Sequence, residues 1–476
     1  MSPAAVTVVV LTYVLVAYYL AYNILYLVLV LRAGRSIAQQ LAWPAELTRD
    51  LTFASPLSPG VSVLVPAHNE AAGILAAVTA LLEQRYPAVE VVVVDDGSTD
   101  ATAQILLDAF AMEPAELAVD DRVAQEGPTL ATLRSRTHPG LVLVRKESVG
   151  RRSDAINAAL RVCSHELVCM IDADSLLEPD ALLHVVQPFI DDDLVVAAGG
   201  VVLPSNGSRV HRGRIVSSRV PRGLVARTQV LEYLRAFLVG RSGWSSMNGL
   251  LIISGAFGVF RRHVVVELGG LDPTSLAEDA DLVVGIHRML HDRDEGFRVV
   301  FLTEPVCWTE VPETLSVLSK QRKRWSQGLG ELLRKQRTML GRPRYGTLGV
   351  LTMPYFFLFE FAGPFVEILG LALTAFGLVT GMLAPGFLWL YLGASVLLSV
   401  LGSLAALVVE EVSFARFRST RDVLALVTAA ILEPFWFHPV HTWWRAVGVV
   451  RAVRGTQSGW GEMTRTGHTT DETRQR

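Results

Sequence analysis

The chain has 476 residues, 51% of them hydrophobic, and a formal net charge of −3. That length accommodates roughly two to three domains, and the near-neutral balance gives no footing for a nucleic-acid partner, which would demand a basic domain. Its three cysteines, Cys163, Cys169 and Cys307, show neither metal-ligand spacing nor an even-numbered framework, which suits a reducing compartment.

Ala5 to Leu31 carry no charge, and a bilayer takes about 20 such residues to cross. No basic region precedes them and the run exceeds a signal-peptide core, so the segment reads as a permanent anchor. Arg32 and Arg35 follow it and assign the next segment to the cytosol by the positive-inside rule. The expected division is an anchor over 1–41, a cytosolic domain over 42–346, a C-terminal membrane region over 347–455 and a polar tail over 456–476. The protein is thus expected in a bacterial-type cell membrane, in contact with its lipids.

In the central domain short apolar runs alternate with helical stretches. Strands are predicted at Val61–Val65 (ending before Pro66), Val89–Val94, Leu141–Val144, Leu167–Ile171 and Val195–Ala198. Helices are predicted at Ala71–Gln84, Ala101–Phe110 and Ser153–Cys163. Continuous Val/Ile runs between helices predict an α/β fold with a mostly parallel, Rossmann-like sheet covered on both faces. Pro114 to Pro139 reads as a polar insertion with no clear element. Ser205 to Arg227 is a basic stretch, and Leu231 to Trp244 has the mixture of a helix lying in the membrane interface.

Two more spans are predicted at Tyr355 to about Met382 and at Phe387–Val409. Val423–Val450 follows, interrupted by Pro434 and Pro439. That last region is a kinked span or a re-entrant hairpin. Arg445, Arg451, Arg454 and Arg465 favour a cytosolic tail, and hence the hairpin or an interfacial helix. Glu360 and Glu367 stand seven residues apart on one face of the second span, either on a polar path or in structural pairs.

In open α/β sheets the ligand site lies beyond the carboxyl ends of the strands. Three polar clusters fall there: His68-Asn69-Glu70, Asp95-Asp96-Gly97-Ser98 and Asp172-Ala173-Asp174. The D-x-D spacing occurs four times, at Asp172, Asp191, Asp279 and Asp292, so spacing alone decides nothing. Asp172 and Asp174 alone directly follow an apolar strand, where two carboxylates can hold Mg²⁺ or Mn²⁺ together with diphosphate oxygens. Asp-Gly is turn chemistry and Ser98 a good N-cap. Beside Glu70, however, Asp95 and Asp96 can also accept hydrogen bonds from a nucleoside. Glu278 and Asp279 open a helical run, where they suit the helix dipole or supply a general base. Gln321, Arg324 and Trp325 share a helical face, offering a guanidinium clamp for phosphate and an indole platform for a sugar.

These marks, quoted as VPAHNE, VVVVDDGSTD, RRSDAINAAL, MIDADSLLEPDAL, SGAFGVFRR, LAEDADL and QRKRW, resemble in residues and order the family-2 glycosyltransferases of GT-A fold. They are most similar to membrane synthases of poly-N-acetylglucosamine, hyaluronan and cellulose. The resemblance implies that Asp95 and Asp96 contact uridine, that Asp174 ligates the metal with Asp172 nearby, and that Asp279 is the catalytic base. It implies that Gln321 and Arg324 face the diphosphate, that Trp325 meets the acceptor sugar, and that Ser254-Gly255-Ala256 lines the acceptor side. Glu70, Arg152 and Glu278 complete the expected substrate-binding set. Arg152 stands where the family has Lys, and Ala277 where it has Thr. The implied activity is inverting transfer from UDP-N-acetylglucosamine or UDP-glucose to a polysaccharide or lipid-linked acceptor, with possible partners in accessory or export subunits. The alternatives are a non-processive transferase and an inactive nucleotide-binding subunit.

Overall fold

The computed structural model describes residues 3–42, 58–211, 213–382, 385–417 and 419–456. Residues 43–57 of the expected cytosolic domain, Arg212, Arg418 and the tail with Arg465 lie outside them.

The strands are β1 (Val61–Ala67), β2 (Val89–Asp96), β3 (Met112–Pro114), β4 (Thr129–Ser135), β5 (Leu141–Lys146), β6 (Leu167–Met170), β7 (Leu176–Leu177), β8 (Val195–Pro204), β9 (Arg209–His211), β10 (Arg214–Ser217), β11 (Gly258–Arg261) and β12 (Arg298–Thr309). All but β9 and β10 join one sheet in the order β3-β4-β5-β2-β1-β6-β11-β8-β12-β7. Its centre, β5-β2-β1-β6, is parallel. The Val-rich faces of β1 and β2 are almost wholly buried, and each such side chain contributes about 1.5–3 kcal/mol. Helices Ile74–Leu82, Thr102–Phe110 and Arg152–Val162 connect these strands.

The structure departs from the expected sheet in three places. Val195–Ala198 does not continue the central parallel run: the antiparallel β11 lies between β6 and β8, and β8 pairs in parallel with β12. The insertion 114–139 supplies β4, which with β3 forms an antiparallel edge. A strand as exposed as β4 lacks the apolar alternation that would announce it. Finally, β1 runs through Pro66 to Ala67. Its ladder with β6 ends at Leu64, so the missing N–H of Pro66 deprives no partner. The basic stretch after Ser205 folds in part as the β9–β10 hairpin, where Arg214 pairs with Glu83 at 2.7 Å.

Among the described residues three helices are long and apolar enough to cross a membrane, within Val6–Leu41, Val396–Ser413 and Thr420–Arg454. A bent pair, Leu348–Phe361 with Gly363–Val379, turns by 45° and makes a fourth if counted as one span. The span expected over Tyr355–Met382 is therefore broken, with π-helical turns at Leu348–Thr352 and Phe356–Phe361 before the bend. The hairpin expected near Pro434 and Pro439 is absent: both prolines sit inside one helix, Thr420–Arg454. In apolar surroundings an open loop would strand more backbone groups than two prolines do. Glu360 and Glu367 both turn to that helix, Glu360 to Arg445 at 2.8 Å and Glu367 to His438 at 3.2 Å.

Candidate active site

The carboxyl ends of β1, β2 and β6 open onto one cavity of about 1550 Å³. Glu70, Asp96, Asp172 and Asp174 line it from the sheet. Arg152, Glu278 and Asp279 line it from helix starts, and Gln321, Arg324 and Trp325 from the helix Leu315–Lys335. Asp95 is the one expected site residue not on its wall. That carboxylate is buried, accepting from Ser98 N at 3.1 Å and from Arg145 Nε at 3.4 Å.

The turn after β2 is braced by the loop after β1. His68 Nδ1 meets the Asp96 carbonyl at 2.7 Å, and Asn69, at φ 56°, accepts from Thr99 N at 2.8 Å and donates its own N–H to Ser98 Oγ at 3.1 Å. Ser98 is consequently not the N-cap expected of it. The helix begins at Thr102, whose N–H donates to Asp100 Oδ1 at 2.9 Å. Asp96 itself accepts from Lys146 Nζ at 2.6 Å and from Ser148 Oγ at 3.0 Å. Lys146 is fully buried and also pairs with Asp154 at 2.9 Å. Lys146 does not stand out in the sequence, and Asp154 lies in the quoted segment RRSDAINAAL without a role assigned to it, although the β2–β5 register sets Lys146 opposite Asp96.

Arg152 ties the two carboxylate groups of the site together. Its guanidinium donates to Asp172 Oδ1 at 2.6 Å, to Glu278 Oε1 at 3.4 Å and to the Gly255 carbonyl at 2.6 Å. Burial, then the neighbouring charges of Asp172 and Glu310, push the Asp174 carboxyl up to about 8. Burial likewise raises Glu278 to about 7, against the pull of Arg152 and Arg324 and with help from Asp279. Asp279 is held by two backbone amides, Gly255 N at 3.1 Å and Ala280 N at 2.8 Å.

No group of three or more His, Cys, Asp or Glu among the described residues forms a metal cage. Asp172 and Asp174 nevertheless fit a hard divalent cation that takes its remaining ligands from a diphosphate and water. A buried carboxyl raised by its anionic neighbours is what such a cation would lower. Of the other D-x-D pairs, Asp281 is tied to Lys335, Asp191 accepts from Gln187 at 2.6 Å and Asp292 from Tyr345 Oη at 3.1 Å.

Trp325 is 43% exposed towards the cavity. Arg322, not singled out by its spacing, lies over that ring at 4.3 Å and is clamped by Glu232 at 2.8 Å.

The sequence profile of glycosyl transferase family 2 matches residues 62–264, and that of glycosyl transferase family group 2 matches residues 167–437. Poly-beta-1,6-N-acetyl-D-glucosamine synthase of Staphylococcus aureus strain COL is 25% identical over 276 residues, 58% of this chain and 55% of that protein. The synthase of the same name from Staphylococcus epidermidis is 24% identical over 274 residues, with the same two coverages. The chain thus aligns with about half the length of these curated relatives. A solved mannosyltransferase from Pyrobaculum calidifontis, in complex with GDP-Man and Mn²⁺, covers 90% of this chain with 99% of its own at a TM-score of 0.53 and 23% identity. At that identity the likeness establishes the GT-A fold and no more.

Proposed function

This chain belongs to glycosyl transferase family group 2, whose profile spans more than half of it, and from that premise we propose that it transfers a sugar from UDP-N-acetylglucosamine or UDP-glucose to a growing β-linked polysaccharide at the cytosolic face of a membrane. The observation that carries the reading is the single cavity lined by Asp172, Asp174, Asp279, Arg324 and Trp325. A donor-side carboxylate pair and an acceptor-side base thereby share one space.

Glu70 and Asp96 meet the nucleoside, with Asp95 shaping the turn that presents Asp96. Asp172 and Asp174 hold Mg²⁺ or Mn²⁺, which offsets charge on the departing diphosphate. Gln321 and Arg324 face that diphosphate, with Arg152 and Glu278 setting the geometry between the two clusters, and Trp325 stacks on the acceptor sugar. Asp279 takes the proton of the acceptor hydroxyl as its oxygen bonds to the anomeric carbon and UDP leaves. One displacement inverts the centre, so an α-linked donor yields a β-linkage without a covalent intermediate. The cavity's continuation between the apolar helices, past Tyr22, Gly402 and His438, supports coupling of synthesis to export.

The test is UDP release from the purified protein across a panel of UDP-sugars with Mg²⁺ or Mn²⁺, with the product sized on a gel. A ladder of long products is expected. A product of one sugar on lipid would refute processivity, and no release with any donor would refute the enzyme.

A further inference from the structure

Arg241 is a cation that the reaction outlined above does not use. It ends a π-helical segment, Arg235–Arg241, that forms part of the cavity wall. Such widened turns are rare and cluster at functional sites. Three neighbouring guanidinium groups each have a carboxylate: Arg152 has Asp172, Arg235 has Glu433 and Arg322 has Glu232. Among the described residues no hydrogen bond or ion pair engages Arg241, and its Nη1 is sealed from solvent without a partner. Its guanidinium lies over the Phe237 ring at 3.7 Å. Burial pulls it down to about 10, and Asp279 is the foremost opposing charge. Both oxygens of Asp279 are already taken up by backbone amides.

A sealed N–H without a partner is costly, and a planar fork suits an oxyanion. The segment that carries it packs against the N-terminal apolar helix. Gly243, two residues on, packs so closely there that a Cβ would come within 2.9 Å of the Leu29 carbonyl oxygen. Leu29 is three residues short of Arg32, where the uncharged run ends.

We propose that Arg241 is the anchoring subsite for a phosphate group on a lipid-borne acceptor, held at the membrane boundary of the cavity. The inference rests on the transferase reading for the word acceptor and deepens it by giving that acceptor an anionic, membrane-embedded end.

The test uses the full chain in neutral detergent, titrated with dodecyl phosphate, with inorganic phosphate and with UDP, and read by intrinsic tryptophan fluorescence. Dodecyl phosphate is expected to bind saturably, more tightly than inorganic phosphate. Arg241→Gln should weaken it at least about tenfold, a readily measured change, with Arg241→Lys between the two. UDP affinity should stay unchanged. Arg241→Gln should also melt no lower than the parent, because it discards an unpaired charge, and this separates lost binding from lost fold. Equal affinity in parent and Arg241→Gln, or no saturable binding, overturns the proposal. So does equal binding of inorganic phosphate, which would make the site one for a free anion. An equal loss of UDP affinity would assign Arg241 to the donor and overturn it as well. No arm requires turnover, so an enzyme inactive on every donor would refute the functional reading while leaving this measurement decisive.

Discussion

Asp279 accepts from Gly255 N and Ala280 N, one on each oxygen, so Asp279→Asn removes the base and one of these two acceptors while keeping the size of the side chain. We expect transfer to fall by about 10²- to 10⁴-fold, the contribution of a positioned base, with UDP affinity preserved. UDP release and a UDP titration check both halves, and retained turnover would take Asp279 out of the role. His287 gives a pH prediction. It is fully buried, and burial pushes it down to about 3. The unfolded chain, with an ordinary histidine near pH 6.5, therefore binds the proton more readily than the folded one. Its contribution is complete above about pH 6.5 and is lost as pH falls towards 3, at up to about 1.4 kcal/mol per unit. Melting temperature should drop across that window, and His287→Phe should flatten the slope. At this scale the sequence was legible where a residue follows its own strand or opens its own helix, as Asp172, Asp174 and Asp279 do. Lys146 and Arg322 were not, because the carboxylates they hold at the site, Asp96 and Glu232, stand 50 and 90 residues away.

The helix Leu315–Lys335 reaches the site through small residues. A Cβ at Gly328 would lie 2.9 Å from the Ala277 Cβ, directly before Glu278 and Asp279. On its other side a Cβ at Gly448 would lie 2.7 Å from Ser326 Cβ, so the helix Thr420–Arg454 is pressed equally close. Gly328→Leu must therefore separate Trp325 from Asp279. Overpacking of this kind costs about 1–3 kcal/mol, and a displacement near 1 Å at a reacting centre costs about 10²-fold in rate. We expect slow transfer with near-normal UDP affinity, measured by initial rate and titration. A normal rate would mean that these two elements need not keep their spacing. Ala277 now has a physical account, since a larger residue there would meet Gly328. The central strands were legible from their Val runs, which two-faced burial demands. The short β11 (four residues, Gly258–Arg261) and the exposed strand β4, second from the sheet's edge, were not, because pairing rather than periodicity defines them. The helix through Pro434 and Pro439 is the single span that the sequence offered beside the hairpin, and proline rules learned in water weaken where no water replaces a lost backbone bond.

In the whole molecule one cavity joins the carboxylates beyond the sheet to the space between the apolar helices. Three glutamates met along it at the helix end are paired: Glu433 with Arg235 at 3.1 Å, Glu360 with Arg445 at 2.8 Å and Glu367 with His438 at 3.2 Å. Unpaired, such groups would be costly among apolar helices, and paired they leave a lining of hydroxyls, rings and neutralised charges on which the proposed sugar chain would slide. Gly402 lines this path and packs against Tyr26, since a Cβ there would come within 3.1 Å of the Tyr26 ring. Gly402→Phe should therefore block the helix end and leave the nucleotide end untouched. UDP affinity and the first turnovers should match the parent, while the product ladder on a gel shortens as chains stall against the added ring. An unchanged ladder would mean that the product leaves by another route, and the membrane helices would then serve to hold the site at the bilayer rather than to conduct what it makes.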